Sequence, residues 1–141
     1  MLLSKSSEYA IQLILYLVRY PKATFTPIKE IAAHTGISFF QLAKVAQHLI
    51  KGGILTSYTG PNGGVALSRA PHQLRLFDIV SAMEGPAVLD GCVLGLDLCR
   101  DENPCPVHQY WKEAREVITK MFKERTLDEF VTFTLGEVLA P

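Results

Sequence analysis

No apolar run in this sequence is long enough to cross a bilayer: the longest, Ile11 to Val18, is broken by Gln12 and ends at Arg19. A secretory signal is not expected either, because Ser6 to Glu8 interrupts before an apolar region can form. Internal repeats and low-complexity tracts are missing, which argues against solenoids and long linkers. Cysteine is scarce, three residues in all. An odd number with no export signal points to a reducing cytoplasm, where metal or redox chemistry outranks disulfides. What is present describes a folded chain. Its 141 residues make one domain by length, with room for an appended element, and 48% hydrophobic residues supply a core.

The formal net charge is zero, yet it is unevenly spread. Residues 1–75 hold eight Lys/Arg against two acids (Glu8, Glu30), a balance of +6, and residues 76–141 hold six against twelve, a balance of −6. A basic half beside an acidic half suits a chain whose first half alone meets a polyanion.

Leu3 to Tyr20 reads as a helix capped by Ser4 or Ser6, with apolar residues at 10, 13, 14, 17 and 18 as its buried stripe. Pro21 stops it. Thr26 is positioned to cap a short helix from Pro27 to His34, which Gly36 ends in a left-handed turn before Ile37 tucks inward. Ser38 then caps a third helix that runs to Gly52–Gly53. Leu42, Val45, Ala46 and Leu49 share its inner face and Phe39 is expected to join them. Phe40, Gln41, Lys44, His48 and Lys51 take the outer one. Two helices joined by a tight glycine turn, the second basic outside, have helix-turn-helix organisation, although a plain helical hairpin shares the pattern.

The next stretch separates those alternatives. ILTSYTGPNGGVALSR alternates around a Gly60-Pro61-Asn62-Gly63-Gly64 turn, which predicts a hairpin directly after the second helix of the pair. Helix plus hairpin is a reading helix with a wing, an order of elements that fits duplex DNA. A fourth helix follows, with Leu76, Phe77, Ile79, Val80 and Met83 as core. Val107 to Arg125 forms the longest amphipathic helix, and its narrow apolar seam suits pairing with a second copy across a two-fold axis. Thr126 to Glu129 is a capping box opening a last short helix through about Thr134.

Between the fourth helix and the long one lies GCVLGLDLCRDENPCPVHQYW, which holds all three cysteines. Cys92, Cys99 and Cys105 sit in one short loop, with His108 at a C-x-x-H spacing from the last. Three soft sulfur donors and an imidazole on a loop can close around a metal ion or cluster. Unpaired loop cysteines also serve as small buried hydrophobes, but such residues are scattered and these are clustered. Zinc and a metal-free thiol switch use the same residues and stay open at this point. A nucleophilic-cysteine enzyme does not fit, for no base is positioned and so small a fold leaves little room for a substrate pocket.

Taken together, SSEYAIQLILYLV, IAAHTGIS, the Gly-Pro-x-Gly-Gly wing, DIVSAMEGP and CRDENPCPVHQYW followed by TLDEF resemble the IscR/NsrR (Rrf-two) family of bacterial transcriptional regulators. The resemblance spans nearly the whole chain. It implies a mainly α fold with a small β wing: a winged helix-turn-helix domain at 1–85, a cluster-binding loop at 86–106, a dimerisation helix at 107–125, and a C-terminal helix and tail packed on the domain at 126–141. It also implies a homodimer bound to a roughly palindromic double-stranded operator and controlled by an iron–sulfur cluster, 2Fe–2S or 4Fe–4S, which aerobic purification can strip. No membrane and no small-molecule substrate enter that picture.

By the same resemblance the cluster ligands are Cys92, Cys99 and Cys105. The fourth is either His108, which matches the IscR-like pattern, or Glu8, which matches an acid that NsrR-like members supply from the partner subunit. The DNA-facing positions correspond to Ser38, Phe40, Gln41 and Lys44 on the reading helix and to Thr59, Gly60, Pro61, Asn62 and Gly63 in the wing. Lys5, Lys44 and Lys51 suit phosphates. Three departures stand out: Asn62 replaces a usual glycine, Thr59 replaces an arginine of a well-known member, and the gap from Cys92 to Cys99 is one residue longer than in IscR. The implied function is a repressor that senses iron–sulfur or iron status, nitric oxide or redox state.

Overall fold

Short-range chemistry sets the first three helices of the structure, a computed structural model that describes residues 3–132. Helix α1 (Lys5–Arg19) starts where the Ser4 hydroxyl accepts the Ser7 N–H at 3.2 Å, satisfying one of the free amides of the first turn. Ala10, Leu13, Ile14, Leu17 and Val18 are buried, as their spacing predicts. Helix α2 (Ile28–Thr35) ends at Gly36, whose φ of +76° is the left-handed turn, and Ile37 beyond it is buried. Helix α3 (Phe39–Lys51) is capped by Ser38, whose hydroxyl accepts the Gln41 N–H at 3.2 Å. Leu42, Val45, Ala46 and Leu49 fill the core beneath it.

Two local expectations fail. Thr26 does not cap α2. Position Pro27 stands there without a side-chain cap, and Thr26 is buried with its backbone N–H and C=O both bonded to Val65 at 2.9 Å. A bridge to a distant strand has claimed the residue. Phe39 is not core: it stays 44% exposed and meets Phe40 edge-on at 5.7 Å. It lies in the first turn of α3, and the inward stripe begins one turn later, at Leu42.

The wing is the antiparallel pair β1 (Leu55–Tyr58) and β2 (Gly64–Leu67), in the register Leu55↔Leu67 to Tyr58↔Gly64. It is fastened to the end of α3, since Ile54 N–H reaches the Leu49 carbonyl at 2.9 Å and the Ser68 hydroxyl reaches that of Gly53 at 2.5 Å. Beyond a single 3-10 turn at Pro71–Gln73, helix α4 (Leu76–Glu84) buries Leu76, Ile79 and Val80 against α1 and α3. Glu84 at its end accepts the Ser4 N–H at 2.8 Å and the Ser7 hydroxyl at 2.5 Å, tying α4 to the start of α1.

Helix α5 (His108–Glu124) is the longest, and only Phe122 on it is buried. The chain then returns: Leu76 N–H bonds the Arg125 carbonyl at 3.2 Å and Leu127 N–H bonds that of Leu74 at 2.9 Å, with Leu127 fully buried. The Thr126 box forms, its N–H donating to Glu129 at 2.7 Å, but it opens only a 3-10 turn, Leu127–Phe130. The rest of the helix expected through Thr134, and the tail to 141, lie outside the described residues.

Tyr16 links α1 to α2, donating to Glu30 Oε2 at 2.9 Å while Lys22 holds the other carboxylate oxygen at 2.5 Å. Burial first, and then the Glu30 bond, push its hydroxyl from 10.0 up to about 12. The folded chain therefore keeps a proton that the unfolded chain has released. This contribution is whole below about pH 10 and is lost as pH climbs toward about 12. Over that window wild type is expected to lose about 2 kcal/mol more stability than Tyr16→Phe, measured from denaturant midpoints. Parallel curves for the two chains would refute it.

Candidate functional site

The outer face of α3 presents Ser38, Phe40, Gln41 and Lys44 to solvent, with Phe40 82% exposed. One turn on, His48 turns its Nδ1 to the Lys44 carbonyl at 3.0 Å and remains exposed. A cleft of about 290 Å³ lined by Ser4, Ser6, Lys44, Val45, His48 and Met83 continues this face to the start of α1. Ser6 and His48 were not singled out from sequence as contact residues. The i to i+4 step from Lys44 to His48 was the available signal. Lys5 lies exposed on α1 and pairs with Glu8 at 3.1 Å.

In the wing, Thr59, Gly60, Pro61 and Asn62 are exposed, and the turn closes through Gly63 N–H to the Gly60 carbonyl at 2.9 Å. Tyr58 was also missed. It stands half-exposed at the base of the turn, stacked on Phe25 at 5.7 Å, with Gly60 lying against its ring. An aromatic at an outward strand position was its only trace in the sequence.

The cysteine loop leaves α4 at Gly85 and is anchored on α5. Leu89 is buried, Trp111 Nε1 donates to the Gly91 carbonyl at 2.9 Å, and Arg115 donates to that of Asp90 at 2.7 Å. Cys92 Sγ accepts the Leu94 N–H at 3.4 Å. Backbone N–H groups of Leu96 and Leu94 hold its thiol below the ordinary value.

Cys99 is the hub. Its Sγ accepts the Cys105 N–H at 3.5 Å and lies 3.1 Å from His108 Nδ1. The Cys105 N–H pulls the thiol down, but burial and the neighbouring sulfurs of Cys105 and Cys92 outweigh it, and the value is raised. His108 Nε2 meets Asp101 Oδ1 at 2.9 Å, and Lys112 meets the same carboxylate at 3.2 and 3.3 Å. These partners, His108 first, hold Asp101 below the ordinary carboxylate value. Since Asp101 can only accept, Nε2 is the donor, and in the neutral imidazole the Nδ1 lone pair faces Cys99. The sequence offered no base placed beside a cysteine; the fold corrects this, setting His108 against Cys99 with Asp101 behind it as the orienting group.

Glu8 is engaged with Lys5 on α1. Among the described residues, no three His, Cys, Asp or Glu side chains converge tightly enough to hold a metal ion. In donor chemistry the three sulfurs and the His108 Nδ1 suit a thiolate-ligated iron–sulfur group. In position, the loop must close further around its sulfurs to hold one.

Two apolar surfaces remain uncovered. On α5, Tyr110, Val117 and Met121 are 76%, 70% and 47% exposed, and on the loop Val93, Leu94, Leu96 and Leu98 are exposed as well. No described helix is long and apolar enough to cross a membrane.

A family model described as Rrf2, iron-dependent transcriptional regulator, matches residues 3–132. The HTH-type transcriptional regulator IscR of Pectobacterium carotovorum is 27% identical over 93% of this chain and 79% of its own length. The regulator NsrR of Halalkalibacterium halodurans is 28% identical over 94% and 91%. Among solved structures, CymR, the global cysteine regulator of Bacillus subtilis, superposes with a TM-score of 0.76 at 22% identity, over 94% of this chain and 97% of that one.

Proposed function

The chain belongs to the Rrf2 family of transcriptional regulators, and from that premise we propose that it is a cytoplasmic repressor whose grip on duplex DNA is set by an iron–sulfur cluster. Cys92, Cys99 and Cys105 are the cluster's ligands in this reading, and a homodimer binding a roughly palindromic operator is its working form. It is a regulator and not an enzyme.

The observation that carries the cluster is the contact set at Cys99, where a second cysteine and the Nδ1 of His108 meet one sulfur on a loop joining α4 to α5. Held by these residues, a cluster would supply a redox-active centre open to oxidants and nitric oxide. His108 is favoured as the fourth ligand from the same chain, because Asp101 engages its Nε2 and leaves Nδ1 turned to the cysteine side of the loop. Glu8, paired with Lys5, is the acid that a second copy would contribute. The chain's own residues provide the coupling. Helix α4 is docked on α1 and α3, and Trp111 and Arg115 tie the loop to α5. Drawing the loop together therefore changes how α5, and a second copy paired on its exposed face, sits relative to α3. The separation of two reading helices follows from that.

On DNA, Gln41 has the chemistry to read adenine and Phe40 to rest on a thymine methyl. Thr59 to Gly63 approach the flanking groove, where the want of an arginine at 59 alters operator preference. Lys44, Lys5 and Lys51 hold phosphates. Lys44→Ala is expected to weaken binding to specific and random duplexes alike and to lower the salt slope by about 1. Loss confined to the specific duplex, with the slope intact, would assign Lys44 to base reading instead.

The deciding experiment is anaerobic purification, with a visible spectrum and counts of iron and acid-labile sulfide per chain. Broad visible absorption with matched iron and sulfide is expected, and the number of each per chain separates 2Fe–2S from 4Fe–4S. Colourless protein bearing zinc would overturn the cluster.

A further inference from the structure

We propose that, with no cluster bound, Cys99 and Cys105 are a hydroperoxide-reactive pair that closes to an intramolecular disulfide, with His108 as the base and Asp101 as its positioning residue. The inference concerns the same loop but stands whether or not iron is its resident group, so colourless protein and an unlinked loop are separate results.

Three features single out this pair. The segment between the two cysteines is already folded back on itself, with Arg100 and Asn103 exchanging backbone bonds at 3.3 and 3.0 Å and Asn103 Nδ2 holding the Leu98 carbonyl at 3.1 Å. This brings the Cys105 N–H onto Cys99 Sγ at 3.5 Å, so linking the two needs little backbone movement. Both cysteines also line a pocket of about 270 Å³ with Leu96, Leu98, Asn103 and Pro104, and Cys92 does not. A hydroperoxide entering there meets these two sulfurs. Finally, the line Cys99–His108–Asp101 has the nucleophile, base and orienting acid within hydrogen-bond reach, at 3.1 and 2.9 Å.

The chemistry balances. The Cys99 proton passes to His108 Nδ1 as Sγ attacks the peroxide. An S–O bond forms, the O–O bond breaks, and the departing hydroxide or alkoxide takes the proton from His108. Cys105 Sγ then attacks Cys99 Sγ, the S–S bond forms, the S–O bond breaks, and hydroxide leaves with the Cys105 proton as water. Two thiols give up two electrons and the hydroperoxide gains them.

The test uses the full chain, freed of metal by chelation without oxygen, treated with one equivalent of hydrogen peroxide, alkylated and cut with trypsin. Cys92 and Cys99 then fall in residues 76–100 and Cys105 in residues 101–112. A link between these two peptides is expected in wild type and in Cys92→Ser, but not in Cys99→Ser. His108→Ala should slow its appearance by about tenfold or more, and Asp101→Asn by less. A link that persists in Cys99→Ser or disappears in Cys92→Ser overturns the assignment. So does a Cys92–Cys99 loop within one peptide, a bond between two chains, sulfinic acid with no link, or an unchanged rate in His108→Ala.

Discussion

Cys99→Ala is expected to leave the anaerobically purified chain without iron and to erase the difference in operator affinity between loaded and stripped protein. Cys99 is the sulfur on which the loop converges. It carries the Cys105 N–H and the Nδ1 of His108, so its removal frees both neighbours as well as deleting a ligand. Coupling between a regulatory site and a binding site is commonly worth about 5- to 150-fold in affinity, and the variant should lose that whole factor. Its affinity should settle at the value of stripped wild type, because α3 and the wing are untouched. Titration of a fluorescent operator duplex at fixed salt, with iron counted on the same sample, measures both quantities. Iron at the wild-type level, or an operator response that survives without iron, would break the proposed link between loop and DNA.

Gly64→Ala is expected to cost the fold about 3 kcal/mol or more, the sum of a left-handed backbone imposed on alanine and a backbone collision. Gly64 has φ +154°, and a β-carbon there would run into the carbonyl group of Thr26. That carbonyl is fixed, since Thr26 is buried and bonded in both directions to Val65. Nothing flexible can give way. The melting temperature should fall by roughly 10 °C for a chain of this size, and DNA affinity should fall with it as the wing loses its register. Gly91→Ala is the control, as its added carbon meets no atom within 4 Å. Equal melting curves for the two variants would show that the Thr26 bridge does not hold the wing.

Short-range relations were legible in the sequence by itself. Ser4 and Ser38 as caps, Gly36 as the left-handed stop, the buried stripes of α1 and α3, the hairpin and the long exposed helix all depend on residues a few positions apart. Local spacing fixes them before any tertiary contact forms. The clustering of Cys92, Cys99 and Cys105 beside His108 was legible for the same reason.

Only the tertiary structure decided the rest. It turned Thr26 from a cap into the backbone partner of Val65, left Phe39 outside the core, and stacked Tyr58 on Phe25. It set Asp101 behind His108 and brought Leu127 back to Leu74. Apart from Phe39, each of these joins residues whose separation along the chain carries no period. Their meeting depends on how whole elements dock, and that is settled by burying apolar surface and pairing backbone groups over the entire domain.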